Sequence, residues 1–387
     1  MEAALAAATD GAQRLAARLS AALDAAGPDE RRRLAATALI AVAGAVLLAR
    51  IVLSLLRFLR REYQLRAIPS APGSNLLLGH ALALLRAPEK GKAAWDLIEE
   101  WAQVKGNVCR YRILGTHSVI IADPGALKRV FQTRFKNYVK DLRLSYHPFL
   151  PILGTGLVTA DGDLWQKQRL LMAPALRVDI LDDIIPIAKR AVDRLADKLE
   201  GLRGTGTPVH LEEEFRLLTL QVAAEAAKAF GRGDAAPTRR AADEMLYTLS
   251  VLKEALRKYS VVPVVTRELV EDDTLAGYRI PAGTMITCQL QSVHNQWRDP
   301  AEFRPERFMP GGEYDEFDES IRAYMFLPFI QGPRNCLGQH LALLEARVVL
   351  AALTKRFKFT PLDATAGRRH LTVVPVASVG GMPVRVD

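Results

Sequence analysis

Phe329-Ile330-Gln331-Gly332-Pro333-Arg334-Asn335-Cys336-Leu337-Gly338 is the stretch that decides how this chain is read, and it runs directly into the apolar, helix-forming segment Leu341 to Leu353. It reads as a loop that delivers a cysteine to the first turn of a helix. Gly332 and Gly338 permit tight backbone geometry and the close approach of a flat ligand, while Pro333 stiffens the turn between them. A helix N-terminus favours the thiolate over the thiol, and the thiolate is the form that ligates metal. Arg334 adds a cation two residues from Cys336. An isolated cysteine is ordinarily a small buried hydrophobe. The glycines, the loop and the following helix set this one apart.

The spacing Phe-x-x-Gly-x-Arg-x-Cys-x-Gly resembles the haem-ligand signature of the cytochrome P450 monooxygenases. By that resemblance Cys336 is the metal ligand, an axial thiolate on the iron of haem b, and Phe329, Gly332, Arg334 and Gly338 frame the cofactor. Trp165 and Arg169 lie four apart in helix-forming sequence and share one face. In the family such a pair binds the haem propionates; taken alone, a surface stack of the two side chains explains it better. Arg267, after Val264-Val265-Thr266, matches a further propionate-binding arginine, with the valines towards substrate.

Glu254 and Arg257 are three apart on a helix from about 243 to 259 and can pair. Glu30/Arg33, Glu213/Arg216 and Glu319/Arg322 have the same spacing. Order distinguishes the pair at 254, because Pro305-Glu306-Arg307-Phe308 and then the cysteine loop follow it. The resemblance implies a buried structural ion network of Glu254, Arg257 and Arg307. It also implies a mainly α fold with small β-sheets, a reaction inserting one atom of O2 into an apolar small molecule, and electrons from NADPH through a cytochrome reductase.

Bulk composition is compatible with this. The chain has 387 residues, 49% hydrophobic and 25% charged, the balance of a globular protein with a real core. A net charge of +9 suits acidic or anionic partners, including membrane lipid or an acidic redox protein. No basic run with interleaved aromatics and no zinc-type Cys/His spacing supports a nucleic-acid partner. Three cysteines, Cys109, Cys288 and Cys336, argue against a disulfide framework, and the domain reads as facing a reducing compartment.

Four segments follow in order. Residues 1–33 are Ala-rich, an interfacial helix or an organelle-targeting segment, though Asp10, Asp24, Asp29 and Glu30 weigh against a transit peptide. Residues 34–58 read as a single transmembrane anchor, with Arg50 near enough to the end to snorkel. Arg57, Arg60, Arg61 and Arg66 follow it, favouring a cytosolic main domain on an endoplasmic reticulum membrane, with a plastid membrane as the alternative. Residues 59–74 form a basic, Pro-rich hinge, and 75–387 the haem-thiolate domain.

Within that domain a hairpin is predicted from Val108–Ile113 and Ser118–Ile121, a helix opening at Pro124, and a hairpin from Thr274 to Gln289. Helices are expected over 179–199 and 211–230, with Glu212, Glu213 and Glu214 as a solvated face.

One part of the family pattern is missing. Residues 231–240, rich in Gly, Arg and Ala, stand where the family has its roof helices and a long helix over the haem's distal face. A helix of about 30 residues spans roughly 45 Å, which ten residues cannot replace. No Ala/Gly-Gly-x-Asp/Glu-Thr pattern occurs in the chain, so the fold is expected to be internally truncated and no proton-delivering catalytic residue is assigned. A haem-binding or partner-binding isoform without turnover is the alternative function.

Overall fold

The computed structural model describes residues 14, 17, 27–176, 184–229, 245–362 and 375–387; the junction at 231–240 and most of segment 1–33 lie outside the described residues. The chain divides into two units, residues 1–64 and 65–387. In the first, helix α1 (Pro28–Gln64) runs unbroken for 37 residues, about 55 Å at 1.5 Å per residue. Its stretch Ala35–Gln64 is long and apolar enough to cross a membrane, and its apolar window is not buried at all. The apolar run read from 34 to 58 is thus helical throughout.

The second unit holds α2 (Ala94–Val104), α3 (Gly162–Met172), α4 (Ile184–Glu200), α5 (Leu211–Ala229), α6 (Leu246–Lys258) and α7 (Gln339–Arg356), joined by shorter turns of helix. Its strands are β1 (Val108–Ile113), β2 (Thr116–Ile121), β3 (Tyr138–Val139), β4 (Val209–His210), β5 (Val264–Leu269), β6 (Asp273–Leu275), β7 (Tyr278–Ile280), β8 (Met285–Gln289), β9 (Phe359–Pro361) and β10 (Pro383–Val386). They form sheets in the orders β1-β2-β8-β5-β3, β4-β10-β9 and β6-β7.

The predicted β1–β2 hairpin is present, antiparallel from Val108↔Ile121 to Ile113↔Thr116. The stretch 274–289 is not one hairpin. β6 and β7 pair with each other, while β8 crosses to lie parallel to β2 and antiparallel to β5. Every residue of β8 is buried, so Met285, Ile286 and Cys288 gain more in a central strand than on a hairpin edge. Thr287 is tolerated there because the Tyr111 and Ser118 hydroxyls lie 3.0 and 2.7 Å from its own. Helix α2 covers this core with Trp95, Ile98, Trp101 and Ala102, one face at helical spacing.

The Pro-rich hinge segment is pinned to the free edge of β1. Ala71 donates to the Arg110 carbonyl and Arg110 to the Pro69 carbonyl, both at 2.8 Å, which blunts an otherwise open strand.

A second, helical core gathers Ile187, Ala191, Val192 and Leu195 of α4, Leu218 and Val222 of α5, and Leu344, Val349 and Leu353 of α7, closed by Val209, Val384 and Val386 of the three-stranded sheet. The three glutamates opening α5 are more than a solvated face. Glu212 accepts the Ser378 N–H at 2.9 Å and Glu214 pairs with Lys198 at 2.6 Å, which ties the C-terminal turn to this core; Glu213 alone pairs in solvent, with Arg216.

Candidate functional site

The cysteine loop is held by nested turns. Leu327 accepts the Ile330 N–H at 3.2 Å, Gly332 accepts that of Asn335 at 3.1 Å, and Phe329 accepts that of Cys336 at 2.8 Å. Pro333 occupies the second position of the Gly332–Asn335 turn, where its fixed φ is already correct. Gly332 has φ +81°, and a Cβ there would lie 2.1 Å from the Phe131 carbonyl oxygen, so the loop presses backbone to backbone on the Phe131 turn. Gly338 is different. Its φ is an ordinary −88°, and a Cβ on it would meet no atom of the described residues within 4 Å. Nothing among the described residues asks for glycine at that position.

Cys336 is exposed, in contrast to Cys109 and Cys288, which burial pushes up to about 12. Helix α7 begins at Gln339 with Gly338 as its cap, so Cys336 stands two residues before the cap and not in the first turn as the sequence suggested.

Trp165 and Arg169, one turn apart on α3, meet this loop at successive residues. The Arg169 guanidinium donates to both the carbonyl and the side-chain oxygen of Asn335, each at 2.6 Å. Burial lowers the pKa of Arg169, opposed by the field of Cys336. The buried Trp165 ring lies 4.9 Å under the Arg334 guanidinium. Arg334 also pairs with Asp161, yet its buried Nε has no partner among the described residues.

Arg267, buried on β5, donates to the Tyr146 hydroxyl at 3.1 Å and to the Thr266 carbonyl at 2.7 Å, with its guanidinium 5.8 Å from the Phe131 ring centroid. Between Arg267 and Arg334 sits Lys140. Its ammonium donates to the Val158 carbonyl and stands 5.1 Å over the Tyr146 ring, while its backbone N–H donates to Asp161 at 2.6 Å. Burial first, then the fields of Arg267 and Arg334, lower the Lys140 pKa to about 7; Asp161 opposes them.

Arg267, Arg334 and Lys140 thus lie within one another's fields, with Asp161 the carboxylate that opposes them at Lys140. The imbalance, the orphaned Arg334 Nε and the clearance over Gly338 fit a flat ligand carrying two carboxylates beside an exposed thiol, which are the features of haem b. Lys140, Tyr146 and Asp161 escaped the sequence reading because they belong to no spaced motif; only the fold brings them to Arg334.

Away from the loop, Glu254 and Arg257 on α6 are both fully buried. Arg257 forks onto Glu254 at 2.7 and 2.8 Å and reaches the carbonyls of His294, Pro300 and Glu302 at 3.0 to 3.1 Å. Glu254 also accepts the Arg304 N–H at 2.9 Å and lies 3.4 Å from Arg307. Arg307 in turn pairs with Glu313 and donates to the Asp299 carbonyl at 2.8 Å. Glu313, 8% exposed, is a fourth member of the network that the sequence reading did not include. Glu213 and Arg216, with the same spacing, make a surface pair.

The family model described as Cytochrome P450 matches residues 69–231 and 218–372. Human cytochrome P450 2J2 is 33% identical over 165 residues, 41% of this chain and 32% of that protein. Rat (Rattus norvegicus) cytochrome P450 4V2 is 37% identical over 131 residues, 33% of this chain and 24% of that protein. The chain therefore matches about a third or less of the length of these relatives. The solved structure of retinoic acid bound cyanobacterial CYP120A1 superimposes with a TM-score of 0.67 at 18% identity, covering 83% of this chain and 99% of that one, which shows the fold. Matched over most of its length by the family model and sharing the family's fold, this chain belongs to the cytochrome P450 family.

Proposed function

We propose that Cys336 is the axial thiolate ligand of haem b and that the chain is a haem-thiolate monooxygenase acting on an apolar small molecule. The carrying observation is the exposed Cys336 on a glycine-cleared loop beside the surplus cations of Lys140, Arg267 and Arg334. Arg334 and Lys140 would hold the propionates, with Arg267 and Trp165 behind them, while Arg169 fixes Asn335 and so the loop. Haem, when bound, supplies oxygen activation; electrons come from NADPH through a reductase. The apolar, unburied α1 supports single-pass anchoring in a membrane, with the basic residues that follow it on the cytosolic side.

The test is the carbon monoxide difference spectrum of the reduced full chain. A strongly red-shifted Soret band supports thiolate ligation by Cys336. A band at the position of a haem lacking thiolate, or no retained haem, overturns the reading. Substrate oxidation with reductase and NADPH then separates turnover from haem binding alone.

Lys140 gives a pH signature. Its folded pKa lies below its unfolded value, so the unfolded chain binds the extra proton between about pH 7 and the ordinary lysine range, and the cofactor-free protein gains stability as pH rises through that window. Lys140→Met removes that dependence and raises the melting temperature of the cofactor-free protein at pH 7. The same substitution is expected to weaken haem retention about tenfold, the scale of one lost hydrogen bond to a charged group. Melting temperature against pH, with and without haem, checks both signs.

A further inference from the structure

We propose that His294 is a positioning residue that transmits the rigidity of the buried ion network into the Cys336 loop. The proposal rests on the reading of Cys336 as the haem ligand, and it names a residue outside the motifs that carried that reading.

His294 is fully buried in the short helix Leu290–His294 that follows β8. Its backbone carbonyl accepts from Arg257 at 3.1 Å, which joins it to the Glu254 pair. Its ring spans a different gap. Leu327 donates its N–H to Nε2 at 2.9 Å, so Nε2 carries no proton; Nδ1 therefore bears it and donates to the Ser260 hydroxyl at 2.9 Å. Leu327 is itself fully buried, and its carbonyl accepts from Ile330, whose φ of +60° is strained for a β-branched residue. One continuous path results, from Glu254 through Arg257, His294 and Leu327 to Ile330 at the entry of the cysteine loop.

The ring must stay neutral for this, since an imidazolium has no acceptor for Leu327. Burial and the Arg257 cation lower the His294 pKa to about 3, which keeps the acceptor in place at any pH where the protein works. The groups facing the ring are Ser260, the Leu327 amide and Phe326, whose ring centroid is 5.6 Å away, with Arg257 at the backbone. No carboxylate is recorded against the ring among the described residues.

Amide hydrogen exchange on the full-length, cofactor-free protein tests the strut without relying on activity. In the parent protein the Leu327 amide is expected to be among the protected ones. His294→Leu leaves that amide without an acceptor and is expected to speed its exchange, and that of 329–338, by about tenfold or more, with α4 unchanged. His294→Gln, whose carbonyl can replace Nε2, restores most of the protection. In the haem-loaded proteins the fraction of the reduced carbon monoxide band at the unshifted position follows the same order. If His294→Leu fails to fold, Ser260→Ala, which only frees the ring, is expected to give a smaller loss at the same amides.

Equal exchange at Leu327 in all variants, a rise spread evenly over the whole chain, or His294→Gln matching His294→Leu overturns the strut. A parent protein that protects Leu327 yet shows no red-shifted band overturns the ligand reading and leaves the strut supported.

Discussion

Cys336→Ser is expected to abolish the red-shifted reduced carbon monoxide band while leaving the fold intact. The thiol is exposed, so its replacement opens no cavity and leaves no buried partner, and the stability change should stay within about 0.5 kcal/mol. A serine hydroxyl does not ionise near neutral pH, so no anionic sulfur or oxygen replaces the thiolate. The other cysteines cannot substitute. Cys109 and Cys288 are buried strands away from the loop, and burial pushes each thiol up to about 12. Any haem kept by the variant should show the unshifted band, held by the cations alone, and monooxygenase turnover should vanish. A red-shifted band surviving in Cys336→Ser would exclude Cys336 as the ligand.

Arg257→Met tests the other half of the architecture. Both partners of the Glu254–Arg257 pair have no exposed side-chain surface, so removing the guanidinium leaves a core carboxylate with only the Arg304 N–H and Arg307 at 3.4 Å. Losing one partner of a buried pair costs about 3–5 kcal/mol, a melting shift of roughly four to seven degrees for a domain of this size. The carbonyls of His294, Pro300 and Glu302 lose their donor at the same time. Arg216→Ala is the built-in control. It breaks a Glu-x-x-Arg pair of the same spacing whose side chains are 51% and 61% exposed, and should leave the melting temperature essentially unchanged because solvent screens the pair. Equal losses in the two variants would show that burial is not what matters.

The contrast between those two pairs shows how far sequence reading reaches. Glu254/Arg257 and Glu213/Arg216 are indistinguishable as local patterns, and both form ion pairs at the spacing a helix dictates. Chain order, with Arg307 and the cysteine loop downstream, pointed to the first pair. Its burial comes from α6 packing on the 305–308 turn, a contact between residues some fifty positions apart. Glu313 shows the reverse. An acidic, turn-rich run looks solvated, and only the position of Arg307 draws that one carboxylate inside.

The cysteine loop was legible because its constraints are local. Gly332, Pro333 and the Phe329–Cys336 bond depend on backbone geometry over ten residues, which sequence encodes directly. The cation cluster was not. Lys140, Tyr146, Asp161, Arg267 and Arg334 come from four separate segments, and their charges act on one another only after β5, α3 and the loop have packed. The same holds for His294, an unremarked residue of Ser292-Val293-His294-Asn295 until its ring is set between Ser260 and Leu327.

By itself, then, the sequence determined the family signature, the apolar run that forms α1, the helical periodicities and the candidate ligand Cys336, all of which depend on spacing along the chain. Tertiary structure alone decided which charges are buried, which glycines face another backbone and which face open space, how β8 leaves its hairpin for the central sheet, and where surplus positive charge collects. Those properties depend on distances between segments remote in sequence, and both desolvation and Coulomb energy are set by that distance as well as by residue type.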